Sequence, residues 1–154
     1  STSEAGYSLV SSAIRNEMRL ISIVLGTASS KARIDGSQAL LNYGYRFFST
    51  DTLFRANEEI INAKTWKAEN DSTSIGIADD LTITLPKGAS KRLVYENNLP
   101  DIIEGPIISK QKIGSVSIKL DDEVINTVPL VALENNPSGG ILKQIQDTIQ
   151  LWFE

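Results

Sequence analysis

The stretch Gly114–Leu133, GSVSIKLDDEVINTVPLVAL, decides the fold of most of this chain. Val116, Ile118 and Leu120 alternate with polar residues up to Asp121-Asp122, and Val124, Thr127 and the run Val128–Leu133 return from that turn. A period of two on both sides of a short acidic turn predicts a β-hairpin, because successive side chains of a strand point to opposite faces. The same texture extends upstream. Ile75 and Ile77, then Leu81, Ile83 and Leu85 ahead of Pro86-Lys87-Gly88, then Leu93 and Tyr95, read as short strands parted by turns. Short strands without helices between them predict a small sandwich or barrel.

Before this region the pattern is different. From Gly6 to Gly26 the apolar residues are nearly continuous around a polar tip, Arg15-Asn16-Glu17, which predicts a hairpin with both faces mostly covered. The small-residue loop GTASSK follows, with Ser29 or Ser30 as N-cap. In ARIDGSQALLNYGYRFF, two sets of residues, Leu40, Tyr43, Gly44, Phe47 and Leu41, Tyr45, Phe48, recur at helical spacing, so one long helix is expected. The texture changes near Ser49–Leu53, where a boundary is placed. A domain ordinarily has a few loose residues before its first element. Here a strand begins almost at once, so the chain reads as entering a sheet part-way through a domain.

At the other end, Pro137, Gly139 and Gly140 break the strand pattern, and Ile141, Leu142, Ile145, Ile149, Trp152 and Phe153 recur every three or four residues. That spacing predicts an amphipathic helix. It packs its stripe either on its own domain or on a membrane surface, where Trp152 and Phe153 suit the headgroup boundary. The segmentation is therefore 1–49, 50–136 and 137–154.

Composition narrows the chemistry. The 154 residues hold no His and no Cys, which excludes a Ser-His-Asp relay, a thiol nucleophile and the usual zinc sites. A net charge of −4 offers no field for counterion release, so nucleic acid is not an expected partner. No apolar run is long enough to cross a bilayer. Asp79-Asp80 and Asp121-Asp122-Glu123 fall at turns without calcium-loop spacing and are read as turn chemistry. Trp66, Tyr43, Tyr45, Phe47 and Phe48 are expected to seal the helix against the sheet. No cofactor is implied.

Two runs carry a family resemblance: TSEAGYSLVSSAIRNEMRLISIVLGTASSKARIDGSQALLNYGYRFF, and EGPIISKQKIGSVSIKLDDEVINTVPLVAL in the β-region. Together they resemble the C-terminal half of the D-alanyl-D-alanine carboxypeptidases, the low-molecular-mass penicillin-binding proteins. In that family a strand carrying Lys-Thr-Gly continues as a small polar residue, Thr, two variable residues and Ala-Gly-Tyr. Ser1-Thr2-Ser3-Glu4-Ala5-Gly6-Tyr7 matches from the position after the motif's Gly.

The resemblance implies an α+β fragment: a β-hairpin and helix from a transpeptidase/β-lactamase-like domain, an all-β sandwich, and a C-terminal amphipathic helix. It implies a serine enzyme that removes the terminal D-Ala of peptidoglycan stem peptides through an acyl-enzyme and is acylated by β-lactams. Such an enzyme is periplasmic and attached to the inner-membrane surface. Its Ser-x-x-Lys, Ser-x-Asn and Lys-Thr-Gly motifs belong to an N-terminal catalytic segment expected upstream, so this chain alone is expected to be inactive. The one Ser-x-x-Lys present, Ser109–Lys112, precedes a predicted strand rather than starting a helix, and is read as accidental. By resemblance, the Ser1 backbone N–H corresponds to an oxyanion-hole donor, while Thr2 and Arg33 correspond to substrate-side positions. Thr2 reads equally as a strand-edge residue and Arg33 as a solvated helix residue. A serine β-lactamase ordinarily ends soon after the final helix, and the β-region beyond Ser49 argues against one. The competing reading is a non-catalytic spacer or binding module of the cell envelope.

Overall fold

The computed structural model of the chain describes residues 5–151. In chain order the elements are β1 (Tyr7–Arg15), β2 (Met18–Thr27), α1 (Ser30–Phe47), β3 (Phe48–Phe54), β4 (Glu59–Lys64), β5 (Ser72–Gly76), β6 (Leu81–Pro86), β7 (Leu93–Asn98), β8 (Lys112–Leu120), β9 (Glu123–Ala132) and α2 (Ile141–Leu151). They form two compact units. One takes the residues up to Asp51 together with Ile83–Ser90, and the other takes Thr52–Thr82 and the chain from Lys91.

In the first unit β1 and β2 form an antiparallel hairpin whose register runs from Tyr7↔Thr27 to Arg15↔Met18. Its two-residue loop holds Asn16 and Glu17 at φ 48° and 63°. Positive φ at both positions is what a tight hairpin loop needs to match the twist of its strands. α1 is capped by Ser29, whose hydroxyl accepts the Ala32 N–H at 3.0 Å and satisfies an otherwise orphan donor of the first turn. The helix lies on one face of the hairpin, burying Ser37 and Tyr45 against a strand face that includes Met18 and Ser22. Close approach depends on Gly44, where a Cβ would come within 2.4 Å of Leu20 Cδ1. Beneath the helix the hydroxyls of Ser11, Ser22 and Ser37 bond one another at 2.5–3.0 Å.

The other face of the hairpin carries Val10, Ile14, Ile21, Ile23 and Leu25, all exposed among the described residues. The expected aromatic seal is also only partly realised. Tyr45 is buried, but Tyr43 and Phe47 stay exposed and pack on each other with ring centroids 4.7 Å apart. Trp66 belongs to the other unit. Spacings of four place Tyr43 and Phe47 on the same side of α1, and Tyr45, two residues away from each, points elsewhere.

The second unit is built on a five-stranded antiparallel sheet of order β4-β5-β9-β8-β7. The β8–β9 turn is Asp121-Asp122, with φ of 51° and 67°. Ile75, Val116, Leu130 and Ala132 from the sheet meet Ile77, Ile103 and Ile107 in one buried cluster. Phe54 from β3 and Leu81 from β6 pack against it. β3 and β6 pair only with each other among the described residues. The expected sandwich therefore takes a lopsided form. Its second side is closed by Phe54, Leu81 and the irregular stretch 99–108, not by a second full sheet. Alternation marks which face of a strand is apolar but says nothing of how many strands each layer holds. Leu99, Ile103 and Ile107 fill that side from a segment broken by Pro100, Gly105 and Pro106.

Candidate membrane-facing site

The segment between β9 and α2 is pinned along its length. Asn136 pairs with Ile107, their N–H and C=O groups bonding at 2.8 and 2.9 Å. The Pro137 carbonyl accepts the Glu69 N–H at 2.7 Å, and the Gly139 N–H donates to the Lys67 carbonyl at 2.9 Å. Gly139 passes so near Ala68 that a Cβ there would stand 2.7 Å from the Ala68 carbonyl oxygen. Residues 137–139 thus form a short ladder against residues 67–69. Proline and glycine end the β9 pattern as predicted, but here they also permit a close backbone pairing.

α2 follows, its orientation set by its polar residues. Asp147 is only 7% exposed, and its Oδ2 accepts the Lys67 N–H at 2.7 Å. Lys143, one turn earlier, reaches the Asp71 carboxylate and the Glu69 carbonyl. The Lys143 ammonium donates to the Asp71 carboxyl and, with a further contribution from Lys64, holds it below its ordinary value of 3.8. On the outward side, Ile141, Leu142, Ile145 and Ile149 are all exposed, Leu142 at 85%. A water-soluble domain normally docks a helix by its apolar stripe. α2 does the reverse. Trp152 and Phe153 lie outside the described residues. No helix among the described residues is long and apolar enough to cross a membrane.

Sequence reasoning placed the apolar stripe of α2 but missed the roles of Asp147 and Lys143. Their spacing of four on the polar side was the available signal. What it could not reveal was the receiving loop, residues 67–71, some seventy positions away in sequence, as the separation of 74 positions between Lys143 and Glu69 illustrates.

In the first unit, Ser1 and Thr2 lie outside the described residues. Arg33 is half-buried. Its guanidinium donates to the Ser8 carbonyl at 3.0 Å and the Ser30 hydroxyl at 3.3 Å, and lies 5.7 Å from the Tyr7 ring centroid. It ties the start of α1 to β1. A groove of about 370 Å³ lies beside it, lined from β1 by Leu9, Ser11 and Ala13 and from α1 by Ile34, Leu41 and Tyr45. The Tyr45 hydroxyl and Arg33 Nε are buried without a partner among the described residues. Ser109 sits in a turn, its hydroxyl donating to the Leu133 carbonyl at 3.2 Å, while Lys112 opens β8. The pair therefore lacks the one-turn helical arrangement that a Ser-x-x-Lys nucleophile needs. No group of acidic side chains able to hold a metal ion occurs among the described residues.

The described chain is thus an antiparallel β-unit with an outward-facing apolar helix, preceded by a hairpin and a helix. The chain belongs to the family described as penicillin-binding protein 5, C-terminal domain, which it matches over residues 48–138. It is 36% identical over 154 residues to the D-alanyl-D-alanine carboxypeptidase DacA of Escherichia coli, covering 99% of this chain and 38% of that protein. It is 31% identical to DacC of the same organism, with the same coverage. Among solved structures, penicillin-binding protein 5 from Haemophilus influenzae superimposes with a TM-score of 0.77 at 32% identity, over 89% of this chain and 40% of that one. The chain spans under half the length of these relatives.

Proposed function

We propose that this chain is the C-terminal part of a periplasmic serine-type D-Ala-D-Ala carboxypeptidase. The whole enzyme removes the terminal D-Ala of peptidoglycan stem pentapeptides through an acyl-enzyme and is acylated by β-lactams. The observation that carries this reading is similarity along the whole chain to carboxypeptidases of which it covers 38%. The bare hairpin face of Val10, Ile14, Ile21, Ile23 and Leu25 supports it, because an apolar face of this kind calls for a covering layer. An N-terminal catalytic segment supplies that layer and the three catalytic motifs. In the assembled site the Ser1 N–H donates to the oxyanion, Thr2 orients the substrate, and Arg33 holds the start of α1 in register with β1.

The chain's own contribution is spacing and attachment. The β-unit stands between catalytic segment and bilayer, and α2 lies on the inner-membrane surface with Ile141, Leu142, Ile145 and Ile149, continued by Trp152 and Phe153, in the headgroup boundary. The test is fluorescent penicillin labelling. The isolated 154-residue chain should not label, and the protein carrying its upstream segment should label and release D-Ala from a pentapeptide. Covalent labelling of the isolated chain would overturn the division of labour. An unlabelled, inactive longer protein would overturn the carboxypeptidase reading.

A further inference from the structure

Resting on the membrane reading above, we propose that α2 is a foot fixed to the β-unit, so that the bilayer sets the orientation of that unit and does not merely tether it. The polar side of the helix is held inward at two points one turn apart: Asp147 on the Lys67 N–H, and Lys143 on Asp71 and the Glu69 carbonyl. Both receiving groups belong to one short loop, 67–71. Pro137 and Gly139, just before the helix, bond to Glu69 and Lys67 of the same loop. A helix held at both its entry and its middle cannot roll or swing about its linker. The Asp147–Lys67 bond joins a largely buried carboxylate to a backbone N–H, which makes it the stronger of the two holds. The Lys143–Asp71 pair lies at the surface and adds little by itself.

This arrangement also selects the kind of surface. The two charged side chains of α2 are both turned to the β-unit, so the outward face presents isoleucine and leucine with no charge of its own. It suits an electrically neutral lipid surface, since nothing on that face would draw it to anionic headgroups.

The test uses the full chain, which contains no cysteine, with Glu123→Cys introduced at the exposed start of β9 to carry a dye. Energy transfer from that dye to acceptors in phosphatidylcholine vesicles reports the distance of the β-unit from the bilayer. We expect a narrow distance distribution that broadens in Asp147→Ala. Vesicle partition should stay within about twofold, because the apolar face is untouched and alanine favours the helix. Exchange of the Lys67 amide should quicken by about tenfold or more, the scale of a lost charge-assisted bond. Asp147→Asn, which keeps an acceptor oxygen, should restore much of the protection. Vesicle binding with a distribution equally broad in parent and Asp147→Ala would overturn the fixed foot while leaving the membrane reading intact. Failure of the parent to bind vesicles, or a stable dimer covering α2, would overturn both.

Discussion

Asn136 stands in Asn135-Asn136-Pro137-Ser138-Gly139-Gly140, a composition that reads as a surface loop, yet it is 1% exposed. Its Oδ1 accepts the Asn70 N–H at 2.9 Å, and its Nδ2 donates to the carbonyls of Asn70 and Ser72 and to the Thr73 hydroxyl at 3.0–3.2 Å. Only a carboxamide offers an acceptor and two donors at once. Asn136→Ala should lower stability by about 2–3 kcal/mol, because it strands buried polar partners. Asn136→Asp should fare no better, since a second oxygen would face two carbonyls. Urea unfolding of both variants checks this, and a loss below half that size for either would refute it. Nothing local in the sequence marks Asn136, because its partners lie more than sixty positions upstream. Ser29 was legible because its partner is three residues away.

The turns and strands were legible for the same reason: a two-residue loop such as Asp121-Asp122 and the alternation beside it are short-range patterns. α2 was only half legible. Periodicity shows which residues share a face but not which face meets the protein. Here the docking is polar, and its exposed part is the Lys143–Asp71 link. Lys143 holds the Asp71 carboxyl below 3.8, so this link is fully present above the ordinary Asp value and is lost as pH falls through the lowered one. A carboxyl-carbon NMR titration should therefore find the Asp71 midpoint below 3.8. In Lys143→Met the midpoint should rise towards the ordinary value. An Asp71 midpoint unmoved by that substitution would mean the pair does not form in solution.

For the molecule as a whole, the uncovered face of the β1–β2 hairpin should dominate solution behaviour. Without a covering layer, Ile21, Ile23 and their neighbours should drive the 154-residue chain to self-associate. Sedimentation should show species larger than a monomer, and Ile21→Thr with Ile23→Thr should reduce them while preserving strand propensity. A monomeric parent chain would contradict this. Composition showed enough apolar material for a core, but nothing in it showed that part of that material remains outside. The order β4-β5-β9-β8-β7 carries a consequence for biosynthesis. β5 finds its neighbour, through Ile75↔Ala132 and Gly76↔Val131, only after residues 131–132 have left the ribosome, and Asn136 and Gly139 then latch onto 67–73. Until that moment β5 offers a nascent, unpaired edge to any passing strand. The β8–β9 hairpin, by contrast, closes on itself through a two-residue turn as soon as it emerges. A delay before residue 131 emerges would thus prolong the window for mispairing, and one after residue 139 has emerged would not.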